Sequence, residues 1–197
     1  MPLLLFAYGE GMGMARVGRG LLTAALLCLL TAQGCSADLT GPSPSLSPTT
    51  PAQTPTESAQ QRQERLDYAG AEKAYRTFRA EYGRVLRAGG AKEPTSVMKA
   101  TAGGSYLREF AEIVMAYAGL ADRQMGDEKV AYVRHVGYSG DELELEVCED
   151  SRDVRIVGSR GHTVGRGEVR KAQMQVRNTG DGWKVWSGRG RKVQSCD

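Results

Sequence analysis

The chain has 197 residues, 41% of them hydrophobic and 25% charged, with a formal net charge of +3. Two histidines and four scattered cysteines make no recognisable metal-ligand set. Its longest greasy run, Leu21–Ala32, falls short of the about 20 apolar residues a membrane-spanning helix needs; Gln33 and Asp38 soon follow it, which argues against a permanent span.

The first element in chain order is an export signal. Arg16 and Arg19 precede the greasy run, and Ala32-Gln33-Gly34 closes it before Cys35. A cationic start, an apolar stretch of about ten residues and small residues before a cut site predict a secretory signal peptide over residues 1–34. Met12 and Met14 are alternative starts, each opening a more ordinary signal than Met1.

The junction Gly34-Cys35 resembles the lipobox of bacterial lipoproteins. That pattern reads Leu, then Ala or Ser, then Gly or Ala, then Cys. Gly34 and Cys35 match it, whereas Ala32 stands where Leu is usual and Gln33 is atypical. The resemblance implies a diacylglyceryl thioether on Cys35, and hence a membrane anchor on the outer face of the cell membrane. The alternative is simple cleavage after Gly34 without lipid. Cys28 follows Leu27 rather than a small residue and is the weaker candidate. Each buried methylene contributes roughly 0.8 kcal/mol, so two acyl chains hold firmly where one binds marginally.

Residues 35–62 have a different composition. Pro42, Pro44, Pro48, Pro51 and Pro55 alternate with Ser and Thr. Such a segment lacks the apolar side chains that offset chain entropy, and reads as a disordered linker. As a flexible coil it spans on the order of 25–30 Å.

Residues 63–197 suit one domain with one core. Tyr68, Ala71, Tyr75, Phe78, Tyr82 and Val85 recur at spacings of three and four, the stripe of an amphipathic helix, which Gly89-Gly90 ends. Pro94 opens a short helical turn through Val97 and Met98, and Gly103-Gly104 breaks it. Ser105 is placed to cap a third helix. Tyr106, Phe110, Ile113, Tyr117 and Leu120 stripe that helix; Leu107 and Val114 widen the stripe, which predicts deep burial.

The second half reads as strands. Val130, Tyr132, Val136 and Tyr138 alternate in phase, and Ser139-Gly140-Asp141 turns into a strand over Glu142–Glu149. A weaker strand covers Val154–Val157, and the Gly-rich stretch Gly158–Gly167 reads as a loop. Val169–Asn178 places Ala172, Met174 and Val176 on one face, and Gly180-Asp181-Gly182 leads into a last strand from Trp183. Helices followed by an antiparallel meander predict an α+β domain, with N-terminal helices packed on a curved antiparallel sheet.

After Cys28 leaves with the signal and Cys35 takes lipid, Cys148 and Cys196 remain. An oxidising compartment allows them one pairing. Parity along their strands, if no bulge intervenes, places both sulfurs on the face away from the main apolar stripe, so a disulfide is expected; the alternative is two free thiols.

Three helices and then an antiparallel sheet resemble the nuclear-transport-factor-2-like fold. Asp181-Gly182-Trp183-Lys184-Val185 is similar to a run that often opens a late strand there. The whole resembles actinobacterial lipoproteins that carry a Pro/Ser/Thr tether before such a domain and a Cys near the C-terminus. The resemblance implies a cone-shaped cavity between helices and sheet, in which Tyr75, Tyr82, Tyr106 and Tyr117 are the speculative pocket residues. Some members do acid–base chemistry in the cone, which needs a general base and an oxyanion donor. Acidic residues on the expected inward faces are scarce. His135 lies on the first strand, opposite Tyr132 and Val136, and His162 in the Gly-rich loop. No catalytic constellation, metal set or cofactor motif is recognised.

Charge is laid out in blocks. Asp141–Asp150 is acidic, and Arg152 to Lys192 is rich in Arg and Lys. Cross-strand pairing is the plain reading; a basic rim meeting anionic lipid heads or wall polymers is the functional one. The expected role is a non-catalytic domain that binds a ligand, protein or cell-wall partner at the cell surface. No nucleic-acid partner is expected outside the cytoplasm. The alternative is an isomerase- or cyclase-like enzyme that uses the cone.

Overall fold

The computed structural model describes residues Glu57–Asp197. The expected signal peptide, Cys35 and the expected linker as far as Thr56 lie outside them.

Helix α1 spans Ala59–Arg87. It begins inside the stretch read as linker, upstream of the expected boundary at Gln63. A capping box starts it. The Gln61 N–H donates to Ser58 Oγ at 3.2 Å, and the Ser58 N–H donates to Gln61 Oε1 at 2.9 Å. Two otherwise orphaned amide donors are thereby satisfied. The first turn is polar, so composition alone hid it. The helix ends as expected: Gly89 and Gly90 follow with φ of 97° and 83°. At Gly90 a Cβ would also fall 2.3 Å from the Val114 carbonyl oxygen, so only glycine fits.

Helix α2 covers Ser96–Thr101, capped by Thr95, whose hydroxyl accepts from Met98 N–H. Helix α3 covers Gly104–Leu120, and its N-cap is Gly103, without a side-chain cap bond; Ser105 is not the cap. The reason is packing. A Cβ on Gly103 would lie 2.5 Å from the Trp186 ring, so the pair Gly103-Gly104 admits the indole rather than merely breaking a helix. Only Tyr106 and Val114 of α3 are buried. Leu120 and Met115 are 60% and 49% exposed, so the wide stripe is not deeply buried. The helix packs on α1 and on one edge of the main sheet, and these cover only part of its apolar side.

The strands are β1 (Arg123–Met125), β2 (Lys129–Ser139), β3 (Glu142–Asp150), β4 (Arg155–Val157), β5 (Thr163–Arg166), β6 (Val169–Asn178) and β7 (Trp183–Val193). The main antiparallel sheet runs β2-β3-β6-β7, and a smaller one runs β1-β4-β5. The domain is α+β, as expected. Strand β5 lies in the stretch expected to be a loop and pairs with β4; β1 pairs with β4 on the other side.

Two bulges in β2 correct its expected phase. Register jumps between Val130 and Tyr132 and between His135 and Gly137. Each extra residue resets the alternation. Tyr132 therefore pairs with Cys148 on the outer face, Val133 with Val147 on the inner face, and His135 with Leu145. Val136, in the second bulge, is 52% exposed. A further bulge opposite Gln175–Val176 shifts β7 around Trp186. The core joins Tyr75, Phe78, Met98, Tyr106 and Val114 to Leu145, Val147, Val176 and Val185.

Candidate functional site

Strand β3 turns Leu143, Leu145 and Val147 toward the helices. The same parity carries Glu149 inward, where it is 8% exposed. Inward acids are therefore not as scarce as the sequence reading held. The sequence shows Glu149 within the acidic block Asp141–Asp150; its two-residue spacing from Val147 is the signal that places it inward.

Glu149 has built partners. The Tyr75 hydroxyl, one helical face above, donates to Glu149 Oε1. Arg79, one turn along α1, brings its Nε to 3.0 Å from the same oxygen. Arg79 also grips Glu128, with Nε donating to Oε1 at 2.8 Å and Nη2 to Oε2. Ser151 Oγ donates to Glu128 Oε2 at 3.0 Å. One guanidinium thus bridges two carboxylates, itself only 7% exposed. Burial holds the Glu149 carboxyl above its usual range, and Arg79 opposes that shift. Burial also works against the Arg79 cation, but Glu149 and Glu128 outweigh it and hold its pKa well above the ordinary value. Tyr75 is pushed far up by burial and by the neighbouring carboxylate.

Of the four expected pocket tyrosines, Tyr75, Tyr82 and Tyr106 stand at this cluster and Tyr117 neighbours Tyr82; none of them lines the surface clefts of about 290–460 Å³. Tyr75 and Tyr106 are buried; Tyr82 and Tyr117 are half-buried. Phe78 lies 4.9 Å from Tyr106, Phe110 4.5 Å from Tyr106, and Tyr82 meets Phe110 edge-on at 4.7 Å. Arg79 sits 5.1 and 5.2 Å above the Tyr82 and Phe110 rings, a favourable cation–π placement. Tyr106 Oη is buried and without a hydrogen-bond partner among the described residues. Burial raises both Tyr82 and Tyr106 well above the ordinary tyrosine range, and pushes Tyr117 up to about 12 with help from Asp122. Beneath the helices aromatic rings pack on one another. Glu149 Oε1 already accepts from Tyr75 and faces Arg79, so to act as a base it must first exchange one of these partners.

His135 joins no such set. Its ring stacks on Tyr68 at 3.9 Å and 9°, and its Nε2 is 4.0 Å from Glu72 Oε2. His162 is exposed in the β4–β5 turn. Among the described residues no group of acids, cysteines and histidines could hold a metal ion.

On the outer face of the main sheet, Cys148 and Cys196 form the expected disulfide, with Cα atoms 5.7 Å apart. It pins the C-terminal tail across β3 and β6, where Lys171 Nζ donates to the Asp197 carbonyl oxygen at 2.9 Å. Beside it lies a cleft of about 360 Å³ lined by Glu146, Lys171, Gln173, Arg189 and Arg191. The expected cross-strand pairing of acid with base is realised between Glu142 and Arg177 at 2.9 Å, whereas Glu146 pairs at 3.5 Å with Arg134 of β2, outside the basic stretch.

No family model and no curated protein matches this chain. Solved structures similar to it include the intermembrane space region of the chloroplast protein ARC6. That likeness is 14% identical over 64% of this chain and 98% of that one, with a TM-score of 0.43. A candidate dehydratase from the NTF2-like family of Streptomyces avermitilis is 16% identical over 67% and 99%, with a TM-score of 0.44. A candidate aromatic ring hydroxylase from Novosphingobium aromaticivorans is 14% identical over 66% and 91%, with a TM-score of 0.43. These likenesses assign no residue a role; the α+β order stands on the chain's own elements.

Proposed function

We propose that this chain is an exported lipoprotein whose α+β domain binds a ligand or partner at the outer face of the cell membrane and catalyses no reaction. The carrying observation is the Gly34-Cys35 junction at the end of a greasy run preceded by Arg16 and Arg19. The Cys148–Cys196 bond is in keeping with an oxidising compartment. Among the described residues no helix is long and apolar enough to cross a membrane. The non-catalytic reading is supported by the burial of Tyr75, Phe78 and Tyr106 in the core. The competing enzyme reading would make Glu149 the base, a carboxylate already held by Tyr75 and Arg79.

Changing Cys35→Ser tests the anchor. The variant is expected to leave the membrane fraction and collect in the soluble exported fraction, since the about 0.8 kcal/mol per methylene of its acyl chains is lost. Undiminished membrane partition of the variant contradicts the proposal.

A further inference from the structure

The small sheet β1-β4-β5 has one face in the domain and one in solvent. Gln124 and Ile156 point inward, and Gln124 is 6% exposed. The alternate positions Arg123, Met125, Arg155 and Arg166 are exposed on the other face. Arg155 stands directly opposite Arg166, a like-charge pair that weakens a sheet. The main sheet has such a pair too, Arg170 opposite Lys192. There Glu168 lies between them, at 2.9 Å from Arg170 and 3.0 Å from Lys192. The small sheet has no counterpart of Glu168. Among the described residues no carboxylate pairs with Arg123, Arg155, Arg160 or Arg166. Of the nearby acids, Asp153 is held by Lys129 at 3.0 Å, and Asp122 lies beneath Gly158 in the β4–β5 turn.

Apolar side chains stand among these cations. Met125 is 49% exposed and Val164 50%, and Leu120, at the end of α3, is 60% exposed. The end of α3 and the small sheet meet in a cleft of about 460 Å³ lined by Ala118, Ala121, Arg123, Met125 and Val157. Exposed apolar residues interleaved with unpaired cations match a bilayer interface, where apolar groups enter the acyl boundary and Arg meets lipid phosphate.

We propose that the outward face of the β1-β4-β5 sheet rests on a membrane surface of anionic phospholipid. The inference rests on the anchoring reading, since the lipid at Cys35 keeps that surface within reach. The chain between Cys35 and Glu57 reaches about 70 Å when extended. This exceeds the about 43 Å length of α1, so the far end of the helix can touch the bilayer.

The exported protein carrying Cys35→Ser tests the face without the lipid. Its co-sedimentation is measured with phosphatidylglycerol vesicles and with phosphatidylcholine vesicles. It is expected to bind the anionic vesicles and not the neutral ones, and to release them in high salt. Adding R123Q, R155Q and R166Q is expected to lower the partition about 100-fold, and R155Q alone about fivefold. R189Q with R191Q, on the main sheet, is expected to leave it unchanged. These glutamines remove no ion pair among the described residues, and an unaltered unfolding midpoint checks each fold. Equal binding to both vesicles, no vesicle binding, or indifference to the three glutamines overturns the proposal. Binding to a soluble polyphosphate but not to vesicles also overturns it. The protein lacks lipid in every arm, so failure here leaves the Cys35 reading standing.

Discussion

Replacing Arg79 by alanine is expected to lower the unfolding free energy by about 3–5 kcal/mol. The guanidinium lies between Glu149 and Glu128, 7% exposed, and grips both. Without it Glu149 keeps the Tyr75 hydroxyl and the weaker field of Arg170, and two carboxylates share one poorly hydrated space. A buried charge without its partner is far more costly than the pair it replaces. The loss of the guanidinium above the Tyr82 and Phe110 rings adds a smaller effect. Urea unfolding measures the change. The double variant Arg79→Ala with Glu149→Gln is expected to recover part of it, because glutamine keeps an acceptor for Tyr75 and removes one stranded charge. A loss below about 1 kcal/mol, the level of an exposed ion pair, would contradict the buried cluster.

Breaking the disulfide is expected to act on a similar scale. Cys148 and Cys196 are 48 residues apart, and loop-closure entropy gives about 4 kcal/mol for that separation. The bond also fastens the C-terminal tail over the outer face. Cys148→Ala with Cys196→Ala should unfold at lower urea by that amount, and wild-type protein in reductant should match it. If reductant leaves the midpoint unchanged while thiol labelling shows the bond is open, the tail contributes nothing to the fold.

Much of this architecture is legible in the sequence. The spacing of Tyr68, Ala71, Tyr75 and Phe78 marks the buried side of α1, and Ala172, Met174 and Val176 mark a clean strand. Both elements are long and strictly periodic, so local pattern and tertiary burial agree. Strand β2 fails for a specific reason: the bulges at Ala131 and Val136 each insert a residue, and no periodicity reading sees them. Strands β1 and β5, of three and four residues, are too short to alternate. The start of α1 was readable from Ser58 and Gln61 as a capping box, but the surrounding polar composition argued for linker. The wide stripe of α3 overstated burial, because apolar width records what a helix can cover, not what meets it.

The interior cluster was half legible. The tyrosine stripe places Tyr75 and Tyr106 inside, whereas Glu149, two residues beyond Val147, reads only as part of the acidic block Asp141–Asp150. Arg79 was not foreseen. It sits between Phe78 and Ala80 on α1, and an arginine there reads as solvated unless its two carboxylates, on β3 and before β2, are known to converge. That convergence is a property of topology: pairing of Val130 with Glu149 brings the start of β2, and with it Glu128, beside the end of β3.

The account depends most on export and lipidation. The mass of the N-terminal peptide from membrane-extracted protein tests it directly. A peptide that begins at Cys35 and carries a diacylglyceryl thioether is the expected result. An intact leader, or a chain that begins at Cys35 with an unmodified thiol, would contradict it.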